Sequence, residues 1–295
     1  MTGDTVRTRD LVGYRVVAVH AHPDDESIAT GAALADLARR GADVLVVTCT
    51  LGEEGEVIGD TYQYLVNDEA DQLGGYRIHE LSRALEILGV RGEFLGGAGT
   101  HRDSGMAGSP AHKNPRAFVN SGQAAVDELV AIFQRERPHL VITYGPDGGY
   151  GHPDHIRAHE ITHAAAEVVE IPRIVWAVQL REELDQDAAT TIPEGWRAPE
   201  PGELAAVDAT DTWVEMDDVT YHQKVEAMRA HATQVWIADG AVSTTNPNAA
   251  WGSGPRTVFA LSNLIAQPIL RREHYQLGAG APLGHDAGLL DGIER

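Results

Sequence analysis

Val16–Ser27 reads VVAVHAHPDDES. The β-branched apolar run that opens it predicts a strand buried on both faces, the kind a parallel sheet uses. Pro23 cannot donate to a sheet ladder and ends that strand. Two histidines, three acids and a serine come next after the apolar run. Polar groups delivered this way stand at the carboxyl end of a strand, the edge where parallel α/β sheets bind ligands.

Outward from this stretch, short apolar runs alternate with helical patterns. YRVVAVH (14–20), DVLVVTCT (43–50), EFLGG (93–97), HLVITY (139–144) and RIVWAVQL (173–180) predict strands. SIATGAALADLARRG, DEADQLGGYRIHELSRALEILG, AAVDELVAIFQRERP and DHIRAHEITHAAAEVVE carry apolar residues at spacings of three and four and predict helices. The fold expected is α/β: a Rossmann-like, mostly parallel sheet with helices on both faces over residues 1–180. A smaller C-terminal α+β subdomain is expected over 181–295, after an acidic, proline- and glycine-rich connection at 181–212. In that subdomain TWVEM predicts a strand and DVTYHQKVEAMRAHATQV a helix with Asp218 near its N-cap, and GHDAGLLDGIER reads as a surface tail.

Composition excludes several classes. Twenty-three basic against 44 acidic side chains give a formal charge of -21, which repels nucleic acid and anionic membrane surfaces. No stretch approaches the roughly 18 apolar residues of a membrane helix, and the first residues lack a signal-peptide apolar core. The single cysteine, Cys49, lies in an apolar run and forms no intramolecular disulfide. A cytoplasmic protein acting on a small molecule is expected, with its oligomeric state left open.

The turn after the first strand brings His22, Asp24 and Asp25 together. GGYGHPDH, after the fourth strand, offers Tyr150, His152, Asp154 and His155 at an equivalent corner. Imidazole plus carboxylate suits zinc or ferrous iron, and a catalytic metal takes three protein ligands and keeps one position open. The plainer alternative makes Asp24 or Asp154 a helix cap and His22 and His152 exposed loop residues.

HEITH (159–163) matches the H-E-x-x-H pattern of zinc proteases. Its extension is missing, with Ala166 where a glycine belongs, and it starts only four residues after His155. It is expected to be a chance match on the helix that delivers His155, with His159 near the site. No G-x-G-x-x-G follows the first strand and no G-x-S-x-G elbow occurs, which counts against a dinucleotide cofactor and a serine nucleophile.

AHPDDE together with HPDH resembles the LmbE-like (PIG-L) de-N-acetylases, zinc enzymes that remove acetyl groups from N-acetylglucosaminyl conjugates. TCTLGEEGEVIGD, DQLGGYRIHEL, GGAGTHRDSGMAG, AHATQV and QPILRREHY are similar to the branch that deacetylates 1-D-myo-inosityl 2-acetamido-2-deoxy-α-D-glucopyranoside in mycothiol biosynthesis. A sister branch, the mycothiol S-conjugate amidases, shares the metal motifs, and a non-catalytic sugar-binding module of the same fold is a further alternative. The resemblance implies His22, Asp25 and His155 as zinc ligands, with Fe2+ an alternative ion, and Asp24 as general base. It implies Tyr150 and His152 beside the acetyl carbonyl, and Arg77 and Asp103 on sugar or inositol hydroxyls. From the residues alone, Arg77 would be a solvated helix-face arginine.

Overall fold

The computed structural model describes residues 9–185, 190–284 and 287–295. Five parallel strands form its centre: β1 (Arg15–His20), β2 (Asp43–Thr48), β3 (Arg91–Phe94), β4 (Leu140–Tyr144) and β5 (Arg173–Val178). Helices α1 (Asp25–Arg39), α2 (Leu73–Leu88), α3 (Gly122–Glu136), a distorted single turn α4 (Gly148–Gly151) and α5 (Pro153–Ala166) join them. Alternate residues of one strand feed opposite cores. Val16 and Ala18 pack with Leu34, Leu37, Leu81 and Leu85 of α1 and α2, whereas Val17 and Val19 pack with Leu129, Phe133, Ala158 and Ile161 of α3 and α5. This is why the first strand is apolar without alternation.

The order of these strands in the sheet is β3-β2-β1-β4-β5. From β1 the chain moves outward to β2 and β3, then crosses back to place β4 on the other side of β1. The crevice at such a reversal, beyond the carboxyl ends of β1 and β4, is where open α/β sheets bind ligands. His22 and His155 both lie just beyond it.

Residues after 180 begin with a short helix, α6 (Arg181–Asp185), then add β6 (Thr212–Glu215), α7 (Asp218–Ala230) and a three-stranded antiparallel sheet. That sheet is made of β7 (Trp236–Ile237), β8 (Val258–Ala260) and β9 (Gln267–Pro268). The nine-residue β10 (Arg272–Gly280) then inserts antiparallel between β5 and β6. Its register shifts between Leu277 and Ala279, and a side chain at the intervening Gly278 would meet the Trp176 indole at 2.5 Å. Helix α7 packs on α1 and α2.

Asp218 stands next to the N-cap of α7, as expected; the cap itself is Asp217, whose carboxylate accepts from the Thr220 N–H at 2.8 Å. One expectation is corrected here. The chain end is not a surface tail, because Leu289, Leu290 and Ile293 are buried and the Arg173 guanidinium donates to the Leu289 and Asp291 carbonyls at 2.8 and 3.0 Å. Residues 285 and 286 of that segment lie outside the described residues.

Candidate active site

The turn from β1 into α1 is built around Asp24, whose backbone sits at φ 112°, ψ -30°. A non-glycine residue there costs about 1–3 kcal/mol and persists only where its surroundings enforce it. The following helix begins at Asp25, so Asp24 and Asp25 project from one tight corner. On the neighbouring corner His152 caps α5, its Nδ1 accepting the Asp154 N–H at 3.1 Å, and Pro153 opens the helix. His155 then lies in the first turn of α5, aimed back across the crevice.

The two corners meet. His155 Nε2 lies 3.3 Å from His22 Nδ1 and 3.4 Å from Asp25 Oδ1, and His22 Nδ1 lies 3.4 Å from Asp25 Oδ2. Ligand atoms about 2.0–2.2 Å from a tetrahedral ion stand about 3.3–3.6 Å apart; the two imidazole nitrogens have that spacing, and each has it to a different oxygen of Asp25, Oδ1 for His155 and Oδ2 for His22. Among the described residues, two groups bring three ligand atoms within 4.8 Å of one another: His22 with His152 and His155, and His22 with Asp103 and Asp154.

An outer layer orients the three. His155 Nδ1 faces the Gly148 carbonyl at 3.1 Å, which places its proton there and leaves Nε2 with its lone pair toward His22 and Asp25. The Tyr144 hydroxyl donates to Asp25 Oδ2 at 2.7 Å, accepts from the Ala21 N–H, and its ring stacks on His155 at 4.2 Å. His22 Nε2 faces Asp154 Oδ2 at 3.3 Å and Asp103 Oδ1 at 3.5 Å. Both carboxylates are buried, and Asp154 also accepts the Ser104 N–H at 2.8 Å. Burial alone would lower the pKa of His22, yet Asp103, Asp154 and Asp25 hold it well above the ordinary value. The field at this imidazole favours positive charge, as a cation site requires. Burial alone would raise Asp25, and His155 and His22 hold it well below the carboxylate range.

Asp24 differs from its neighbour. Burial pushes its pKa up to about 6, against the Arg77 guanidinium, whose Nη2 lies 3.3 Å away. Arg77 is 3% exposed and donates to the Gly52 carbonyl at 2.9 Å and to the Pro23 carbonyl. It is therefore not a solvated face residue. Gly52 is the residue that fits beneath it, since a Cβ there would lie 2.0 Å from Nη1. The His152 ring meets the His22 ring edge-on at 4.6 Å, and burial plus its histidine neighbours push its pKa down to about 3. It is neutral, with its proton on Nε2 because Nδ1 accepts a backbone N–H. Tyr150 is 58% exposed on the glycine-flanked turn α4, its ring 5.0 Å from that of His155.

The capping alternative fails for Asp154, since His152 caps α5, and His22 and His152 are both buried. In HEITH, Glu160 faces solvent in an ion pair with Arg157 at 3.1 Å, His159 Nδ1 bonds the Tyr144 carbonyl at 2.9 Å, and His163 accepts from Trp176. The roles of Asp154 and Tyr144 are not visible in the sequence. Each lies in or beside a metal-site motif, but nothing in residue type separates an orienting carboxylate or phenol from a cap or a core residue.

A family model described as PIG-L, GlcNAc-PI de-N-acetylase, matches residues 17–166, which span both corners. The chain belongs to the PIG-L family. This PIG-L protein is 64% identical over 301 residues to the 1D-myo-inositol 2-acetamido-2-deoxy-alpha-D-glucopyranoside deacetylase of Corynebacterium efficiens, covering 99% of this chain and 97% of that one. It is 49% identical over 291 residues to the deacetylase of the same name from Rhodococcus erythropolis, covering 92% and 94%. Among solved structures, a deacetylase–teicoplanin complex aligns at TM-score 0.52 and 18% identity, over 90% of this chain and 98% of that one. GalB, the 4-carboxy-2-hydroxymuconate hydratase of Pseudomonas putida, aligns at TM-score 0.50 and 21% identity, over 75% and 80%. A hydratase and a deacetylase share this PIG-L architecture, so the fold alone does not select the reaction.

Proposed function

We propose that the protein is a metal-dependent deacetylase that hydrolyses the acetamide of 1D-myo-inositol 2-acetamido-2-deoxy-α-D-glucopyranoside to acetate and the free amine, acting in the cytoplasm. The near-full-length likeness to the Corynebacterium efficiens deacetylase carries this reading. The cluster of His22, Asp25 and His155 supplies chemistry suited to it. We assign zinc to these three residues, whose donor set of two imidazoles and one carboxylate suits that ion. When bound there, zinc supplies a polarised acetyl carbonyl and a water of lowered pKa, toward about 7.

The chain's own residues do the rest. Asp24, with a pKa of about 6, is largely ionised at neutral pH and accepts the proton of the attacking water. The His152 Nε2–H and the Tyr150 hydroxyl donate to the oxyanion of the tetrahedral carbon, and one such donor is worth about 3–4 kcal/mol. Because His152 is held neutral, Asp24 is the group that returns the proton to the departing amine. Asp103 is buried beside His22 and accepts the Gly105 and Glu54 N–H groups, so its part in substrate binding is to fix the loop that the sugar hydroxyls meet. Arg77 is committed to two carbonyls and Asp24, so its part in substrate binding is to fix the wall that the sugar meets.

We read residues beyond 180 as completing the cleft, a reading supported by a cavity of about 180 Å³ whose lining includes Lys224, Phe259 and Ile269 together with Asp25, Tyr150 and His155. The test is acetate and amine release from the N-acetylglucosaminyl-inositol by zinc-restored protein, with a mycothiol S-conjugate in parallel. Zinc-dependent release from the first and little from the second is the expected result. Hydrolysis confined to the conjugate makes the protein an amidase of the sister branch, and silence on both overturns the assignment.

A further inference from the structure

Beneath Asp24 lies a buried ionic pair that takes no part in the proposed proton transfers. The Asp24 backbone N–H, turned inward by its φ of 112°, donates to Glu26 Oε2 at 3.0 Å. Glu26 is 0% exposed, and its other oxygen receives the Ser27 hydroxyl at 2.5 Å and His231 Nε2 at 2.7 Å. His231 is likewise 0% exposed and arrives from the far end of the chain, as the residue that ends α7. Its Nδ1 finds no hydrogen-bond partner among the described residues, so the bond to Glu26 is the ring's one polar engagement there.

A buried ion pair rarely gains stability over apolar residues of the same volume. This pair grips the one backbone group that a strained corner must satisfy. With the side chain at the second helical position reaching back to the cap N–H, the Glu26 contact resembles half of a capping box. We propose that Glu26 and His231 are positioning residues that hold Asp24 in its strained conformation, so that the C-terminal part of the chain sets the aim of the base.

The proposal rests on the deacetylase reading, and its test is a double-mutant cycle in the zinc-loaded enzyme. His231→Gln is expected to lower kcat at least tenfold with KM and zinc content unchanged. In an Asp24→Ala background the same substitution should change the residual kcat less than twofold, while lowering Tm equally in both backgrounds. An equal fold-loss of kcat in both backgrounds, a change confined to KM, or zinc loss overturns it. Should His231→Gln fail to fold, Glu26→Gln, which keeps an acceptor for the Asp24 N–H, must retain more kcat than Glu26→Leu at matched zinc content; equal losses overturn the proposal. Failure here leaves wild-type, zinc-dependent acetate release intact, whereas failure of the deacetylase reading abolishes it.

Discussion

Asp24 and Asp25 are adjacent, chemically identical, and set to different tasks by their surroundings. Asp25 faces two imidazoles and a phenol, so it stays ionised, as the proposed ligand role requires; Asp24 faces burial and one guanidinium, so its pKa rises to about 6. Asp24→Ala is therefore expected to lower kcat about 100- to 10,000-fold with zinc content unchanged, and His155→Ala to lose zinc, both read by metal analysis beside initial rates. Near-normal kcat in Asp24→Ala would remove it as the base. His231 makes a separate prediction. Burial alone would lower its pKa, but Glu26, Asp24 and Glu80, which face it from α1 and α2, hold it above the ordinary 6.5. A raised folded-state pKa stabilises fully below about pH 6.5 and loses that stabilisation as pH climbs through the folded value. The Tm gap between wild type and His231→Gln should thus be wider at pH 6 than at pH 9; a gap independent of pH would contradict it.

At the scale of elements, α1 is held from the side as well as capped. Glu273 of β10 accepts the Ala32 and Ala33 N–H groups at 2.9 and 2.8 Å, and Lys224 of α7 donates to Glu273 at 2.6 Å and to the Ile28 carbonyl at 2.7 Å. Glu273→Ala would leave the buried Lys224 ammonium without its counter-charge, so a loss of about 3–5 kcal/mol is expected in urea unfolding. A loss below about 1 kcal/mol would show that the pair is replaced by water. This clamp also marks what the sequence could reveal. The central strands and their helices were legible because burial on both faces leaves uninterrupted β-branched runs. The two polar corners that meet in the crevice were legible because charge there interrupts an apolar pattern at the end of a strand. Strand β10 was not, since RREH at its start reads as surface and Gly278 breaks its alternation. Arg77, Glu26, Lys224 and His231 were hidden for the same reason: a charged residue reads as solvated until its partner, distant in sequence, is known.

For the whole molecule, the strand order places the reversal point between β1 and β4, and each of the two corners there supplies part of the proposed cation site. The C-terminal strands then extend the same sheet, and α7 carries His231 beneath Asp24. The proposed chemistry requires that His22, Asp25 and His155 form the metal face while Asp24 and His152 stay off it. X-ray absorption at the zinc edge, on protein loaded with one equivalent of zinc, tests this directly. Two imidazoles with oxygen ligands, unchanged in Asp24→Asn, is the predicted result. Three imidazoles would bring His152 onto the metal, and an altered shell in Asp24→Asn would make the base a ligand; either would contradict the assignment.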